Sequence, residues 1–199
     1  MRPDSKEEEM RSFFDSLAPK WDSNEHSDPE RIRNLVSSLG IRKGDRVLDI
    51  ACGTGIITGI LHGLSEKDVL GIDLSDRMIG IAREKYKGVA GVSFEQGDFL
   101  TYPFEEGSYS FAVIYNAYPH FLEPERLEEA LARVLKKGGK FAILHSLSRK
   151  QLLACHEHMG NLSRELKAPS EEAEYFRKDF ETVEAEEDSS SYRIVMERK

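Results

Sequence analysis

Between residues 46 and 145 short apolar runs recur at intervals that leave room for one helix each, and this alternation constrains the chain more than any other feature. Residues 46–50, 68–72, 91–95, 110–115 and 140–145 read as strands. Helices are expected over 56–64, about 75–87 and about 123–134, with a loop over 96–107 after the third strand. Strands separated by helices return in the same direction, so the expected architecture is α/β: a doubly wound, mostly parallel sheet with helices on both faces. Upstream, Met10, Phe13, Phe14 and Leu17 fall at helical spacing, and Pro19 is expected to end that helix. Asp28-Pro29-Glu30 reads as a second start, with Asp28 as N-cap, and Ile32, Leu35, Val36 and Leu39 share one face of that helix before Gly40. Downstream, helices are expected over 149–166 and roughly 170–178. Residues 180–186 and 192–198 then read as an antiparallel edge hairpin. The 199 residues suit one domain, divided as an N-terminal helical cap (1–40), a core (41–146) and C-terminal helices with the hairpin (147–199).

Composition narrows the setting. Hydrophobic residues at 39% and charged residues at 32% fit a folded, water-exposed chain, and no apolar run is long enough to span a membrane. The opening MRPDSKEEEM lacks the apolar stretch of a secretory signal. Two cysteines, Cys52 and Cys155, do not make a disulfide framework, so a cytoplasmic setting is expected. A net charge of −8 argues against nucleic-acid or membrane-surface partners, which call for excess Lys and Arg. The acidic clusters at 7–9 and 181–188 read as solvated surface.

Chemistry concentrates after the first strand. Asp49-Ile50-Ala51-Cys52-Gly53-Thr54-Gly55 runs from strand to turn to helix. Glycine lets a ligand lie against the main chain there, and the N–H groups at the start of the next helix lack intrahelical partners. Asp73, at the end of the second strand and twenty residues after Gly53, stands where doubly wound folds place an acceptor for two ribose hydroxyls. A dinucleotide site needs a third glycine three residues on, but that position is Thr58. The acid Asp49 on the first strand suits a cationic ligand better than a pyrophosphate.

These segments resemble the class I S-adenosylmethionine-dependent methyltransferases, and specifically the methyltransferase-11/25 group acting on small molecules. Residues 49–55 resemble that family's first motif, and 71–78 (Gly71-Ile72-Asp73-Leu74-Ser75-Asp76-Arg77-Met78) its second. Gln96-Gly97-Asp98-Phe99 resembles its adenine-binding motif, and Leu135–Lys140 is similar to its turn before strand five, with Lys137 in place of the usual proline. A second departure is Ala112 after Phe111, where the family usually carries an acid. The resemblance covers about residues 40–146. It implies a Rossmann-like, seven-stranded sheet whose last two strands are the hairpin, with S-adenosylmethionine as cofactor. It implies contacts to that cofactor from Asp49, Ala51, Cys52, Gly53 and Gly55, to its ribose from Asp73, to its adenine amino group from Asp98, and to adenine from the backbone of Phe99. Leu74 and Met78 would flank the ring, and Asn116 would sit beside the methionine end. The Phe13–Asp22 segment resembles the N-terminal helix that closes over the cofactor in many relatives.

Methyl transfer from a sulfonium requires an in-line nucleophile and, for a hydroxyl or protonated amine, a proton acceptor. Residues beyond the carboxyl ends of the strands are the candidates. His120 and His145 are the candidate proton acceptors, and Trp21, Tyr115, Tyr118 and His156 the candidate acceptor contacts. Tyr115 and Tyr118 read more readily as packing residues, His158 reads as surface, and Cys155 as a small buried residue. No metal is expected, although His120, His145 and His156 make a conceivable three-nitrogen set. The expected function is methyl transfer to a small molecule, with O, N, S or C as the receiving atom. A non-catalytic cofactor-binding or partner module and a nicotinamide-dependent oxidoreductase are the alternatives.

Overall fold

The computed structural model describes residues 5–24, 28–156 and 160–199. Helix α1 (Ser5–Leu17) continues through a 3-10 turn (Ala18–Lys20) into α2 (Trp21–Asn24). Pro19 therefore redirects the chain without ending the helical path. It sits in the first turn of the 3-10 segment, where its missing N–H is not needed. Helix α3 (Pro29–Ser37) begins as expected: the Asp28 carboxylate accepts from the Glu30 N–H at 3.1 Å.

The core alternates β1 (Val47–Ile50), α4 (Thr58–Ser65), β2 (Val69–Asp73), α5 (Asp76–Lys85), β3 (Val92–Gln96), β4 (Tyr109–Tyr115), α6 (Pro124–Val134) and β5 (Leu135–His145). Then follow α7 (Arg149–His156), α8 (Pro169–Ala173), β6 (Phe180–Glu187) and β7 (Tyr192–Arg198). The seven strands form one sheet in the order β3-β2-β1-β4-β5-β7-β6. Strands β1 to β5 run parallel, and β7 is antiparallel to both β5 and β6. This is the expected Rossmann-like α/β sheet. The strand order reverses between β1 and β4, so a crevice opens beyond their carboxyl ends.

Strand alternation divides the core. Val47, Val69, Phe111, Val113 and Leu144 pack beneath α3 and α4, whereas Leu48, Ile50, Ile114, Phe141 and Ile143 pack with α6 and the C-terminal segment. Helix α5 adds a smaller cluster in which Ile79 and Ala82 meet Phe94 and Cys52. At the outer edge, β6 carries a bulge between Thr182 and Glu184, leaving Val183 exposed between acidic residues.

The expected helix over 149–166 is corrected. Helix α7 is described over Arg149–His156, a 3-10 turn covers Gly160–Leu162, and residues 163–168 are not helical. The reason is tertiary: the Arg164 N–H donates to Pro119 O at 2.9 Å, so it does not continue an intrahelical ladder. The helix expected over 170–178 is likewise shorter, as α8 followed by a 3-10 turn at Glu174–Phe176. His158 and the side chains of Cys155 and His156 lie outside the described residues.

Gly71 marks where β2 is too crowded for any side chain. A Cβ there would lie 2.6 Å from Phe94 Cδ1 and 2.9 Å from Cys52 Sγ. Gly71→Ala is expected to lower stability by about 1–3 kcal/mol through overpacking, read as a lower urea midpoint with unchanged slope. An unaltered midpoint would show that Phe94 and Cys52 move aside freely.

Candidate functional site

Two residues directly after adjacent strands take left-handed backbone conformations: Ala51 (φ 53°) after β1 and Asn116 (φ 53°) after β4. Such backbone is costly for a residue with a Cβ, and it clusters at sites where geometry is over-determined. Asn116 is held there by Ser146, whose N–H donates to its Oδ1 at 2.9 Å and whose Oγ accepts from its Nδ2 at 3.1 Å. The ends of β4 and β5 are thereby tied together.

The turn after Ala51 is built on main-chain contacts. The Cys52 N–H donates to Ile72 O and the Gly55 N–H to Cys52 O. Gly53 (φ 55°) donates its N–H to Asp73 Oδ2 at 2.8 Å, while Asp73 Oδ1 accepts from the Ser75 N–H at 2.8 Å. One carboxylate thus joins the glycine turn to the start of α5, which Ser75 caps by accepting from the Met78 N–H. Gly55 (φ 78°) has no room for a side chain, because a Cβ would lie 2.9 Å from the Tyr86 ring. The Tyr86 hydroxyl donates to Gly55 O at 2.7 Å and accepts from the Gly59 N–H at 3.0 Å, bracing the turn from behind.

Asp49 is buried and accepts from Thr58 Oγ1 at 2.6 Å. Burial raises its pKa to about 7, with the nearby Asp73 charge adding to the rise. Burial likewise raises Asp73 to about 6, opposed by its hydrogen bonds from Ser75 and Gly53. Cys52 is buried, and burial with both carboxylates drives its thiol pKa well up, so it stays a neutral thiol. Asp98 starts the loop after β3: its Oδ1 accepts from the Leu100 N–H at 3.0 Å. The Phe99 ring is buried against Phe104. Leu74 is half-buried, whereas Met78 is almost wholly buried.

The N-terminal segment closes on these same turns. Asp15 of α1 accepts from Ser75 Oγ at 2.5 Å and from the Arg77 N–H at 3.3 Å. Asp22 of α2 accepts from Thr54 Oγ1 and pairs with Lys85 at 2.7 Å. Burial would raise the Asp22 pKa, but hydrogen bonds from Lys85 and Thr54 hold it below the usual value. Trp21 Nε1 lies 3.5 Å from where a Gly53 Cβ would stand. Phe14 meets Trp21 edge-on at 5.8 Å and His120 at 5.0 Å.

The structure therefore brings together Asp49, Ala51, Cys52, Gly53, Gly55, Asp73, Trp21 and, through Phe14, His120. Among the other expected contacts, three are placed differently. Tyr118 is fully buried, with its hydroxyl donating to Glu172 at 2.8 Å, so it serves an interior network. Tyr115 packs in the cluster beneath α3 and α4, on the other side of the sheet from Tyr118. His145 is fully buried and meets the Tyr192 ring edge-on at 5.7 Å, beneath the C-terminal segment. Strand alternation explains Tyr115 and His145, whose side chains take the face their register dictates, whereas Tyr118 lies in the 3-10 turn Tyr118–His120 after β4. Among the described residues, no group of three or more His, Cys, Asp or Glu is arranged to hold a metal. Asp15, Thr54, Thr58, Lys85 and Tyr86 went unread in the sequence, because their pairings span long separations and carry no local signature.

The donor set fits S-adenosylmethionine. An ionised carboxylate has about four acceptor positions, and Asp73 uses two of them on backbone N–H groups. The Gly53 backbone faces Trp21 without an intervening side chain, and the Asp73 carboxylate lies beside it.

Residues 47–139 match the family described as a methyltransferase domain. The chain is 30% identical over 157 residues to demethylmenaquinone methyltransferase of Staphylococcus aureus (strain MRSA252), covering 70% of this chain and 61% of that protein. It therefore spans less than two thirds of that relative's length. A SAM-dependent methyltransferase from Aquifex aeolicus superposes with a TM-score of 0.75 at 19% identity, covering 93% of this chain and 98% of the other. Geranyl diphosphate C-methyltransferase from Streptomyces coelicolor A3(2), solved with Mg2+, geranyl diphosphate and S-adenosyl-L-homocysteine, superposes at 0.79 with 13% identity, covering 99% and 100%. At those identities the two structures share its fold.

The raised pKa of Asp49 has a thermodynamic consequence. Between the unfolded value near ~4 and the folded value of about 7, the folded chain holds a proton that the unfolded chain has lost. Stability contributed by this site is thus full at low pH and falls as pH rises to about 7. Asp49→Asn removes the titration while keeping an oxygen for Thr58. Relative to wild type, the variant is expected to gain on the order of 2 kcal/mol between pH 4 and pH 8. Chemical denaturation across that range checks it, and parallel stability curves would refute it.

Proposed function

We propose that the chain transfers a methyl group from S-adenosylmethionine to a small organic acceptor, reading residues 47–139, which match a methyltransferase-domain family, as a class I S-adenosylmethionine-dependent domain. The observation that carries the reading is the Asp73 carboxylate, which is fastened to Gly53 and Ser75 and retains acceptor positions for two ribose hydroxyls. The cofactor supplies an electrophilic methyl group on a sulfonium. Asp98 and the Phe99 backbone hold the adenine edge, and Leu74 flanks the ring. The main chain of Ala51, Gly53 and Gly55 lines the path toward the methionine end. Asp49 fixes Thr58 at the start of α4 beneath it, and Asn116 keeps the ends of β4 and β5 in register.

His120 is the proton acceptor in this proposal. Its Nδ1 lies 2.9 Å from Leu162 O, and a carbonyl only accepts. In the neutral ring the proton therefore sits on Nδ1 and the lone pair on Nε2. Phe14 and Trp21 beside it suit a flat, apolar acceptor whose hydroxyl or acidic carbon gives up a proton. Proteins named for demethylmenaquinone and geranyl diphosphate are among those this chain resembles, and both names denote small molecules with an apolar isoprenoid chain. No helix among the described residues is long and apolar enough to cross a membrane. A cytoplasmic setting, a cap over residues 1–40 and a core over 41–146 belong to the same proposal.

Calorimetry tests the cofactor assignment. S-adenosylhomocysteine is expected to bind in the micromolar range, about −8 kcal/mol, while NAD does not bind. Asp73→Ala should cost on the order of 1.5–3 kcal/mol for each hydrogen bond lost, and Asp98→Ala less. A folded Asp73→Ala protein with unchanged affinity would end the ribose assignment. Methyl transfer from labelled S-adenosylmethionine to an isoprenoid naphthoquinol lacking its ring methyl tests the acceptor class, and His120→Ala should lower turnover while sparing cofactor affinity.

A further inference from the structure

Around His120 the described C-terminal segment converges through one side chain. Arg164 donates its backbone N–H to Pro119 O at 2.9 Å and its Nε–H to Phe121 O at 3.1 Å, so it holds the residues on either side of His120. Two residues earlier in the segment, Leu162 O takes the His120 Nδ1 contact. The guanidinium lies 4.5 Å over the Tyr118 ring, the residue that opens the same turn. Its remaining N–H groups form a fork onto Glu172, at 2.8 and 2.7 Å. Glu172 is fully buried and also accepts from Tyr118 Oη at 2.8 Å and from the Lys167 N–H at 2.8 Å. Burial alone would raise the Glu172 pKa, but these donors, Arg164 first, hold it below the ordinary carboxylate value, so the pair stays charged.

We propose that Arg164 is the positioning residue for His120: locked by Glu172, it fixes the turn on both sides of the ring and delivers Leu162 O to Nδ1, which sets the tautomer. The inference rests on the reading of His120 as proton acceptor. It differs from an ordinary interior ion pair in what it predicts about the ring. The guanidinium satisfies Phe121 O and Glu172 together through fixed geometry, which a lysine ammonium cannot reproduce.

Nitrogen-15 NMR of the His120 imidazole above pH 8 reads the tautomer directly. Wild type is expected in the Nδ1–H form. Arg164→Lys, with S-adenosylhomocysteine affinity within about twofold of wild type as proof of folding, is expected as a mixture of tautomers. Glu172→Gln should move the same way by less, and it serves if Arg164→Lys does not fold. With S-adenosylmethionine and the naphthoquinol probe, Arg164→Lys should lower kcat about tenfold or more, and it should add nothing in a His120→Ala background. An Nε2–H wild type, a tautomer unchanged in both variants, or losses that multiply in the double variant would overturn the proposal. If His120→Ala keeps full turnover, the proton-acceptor reading fails by itself, and the NMR result still decides whether Arg164 places the ring.

Discussion

The Asp73 carboxylate, accepting one N–H from the glycine turn and one from the start of α5, is the contact on which the rest of the site depends. It closes two strand–helix junctions with a single partly buried charge. Burying that charge is unfavourable, as its raised pKa records, and the fold offsets the cost with backbone donors and the positive end of α5. Both turns then have to stay in register with one another. The left-handed Ala51, the N–H of Cys52 on Ile72 and the brace from Tyr86 all serve that registration.

The N-terminal segment reaches the same two turns with a second pair of carboxylates. Asp15 reads the α5 start and Asp22 the glycine turn. The Asp22–Lys85 pair is largely exposed, which limits it to about 1 kcal/mol or less. The segment is therefore held by several small contacts, with Trp21 and Phe14 giving apolar area. Opposite it, the C-terminal segment is pinned by a buried, charge-assisted fork. A lightly held cover faces a firmly held floor, and His120 touches both.

Much of this was legible in the residues. The strand–helix alternation, the Asp28 cap and the hairpin all depend on local chemistry, and each appears where its residues place it. Asp73 was legible too, because its distance from Gly53 follows from the length of one strand–helix–strand unit. What escaped was decided by partners far along the chain. Residues 163–168 have helical composition, yet their backbone is spent on Pro119 and Glu172, so they run as a strap. His145 looked like a site residue because it ends β5, yet its side chain is buried against Tyr192 on the face occupied by the C-terminal segment. Nearness to a strand end indicates depth in the sheet, whereas the face is set by a parity that one residue reverses.

The outer strand β6 bears on how the molecule behaves among its own copies. An open strand edge exposes unpaired N–H and C=O groups and templates sheet-to-sheet association. Here that edge is interrupted by the bulge at Val183 and carries the exposed Glu181 and Glu186. A second copy approaching edge to edge meets like charge on a ladder that is already out of step. The acidic end of the chain thus works as a gatekeeper against aggregation, and it does so most strongly at the pH and low salt where those carboxylates repel.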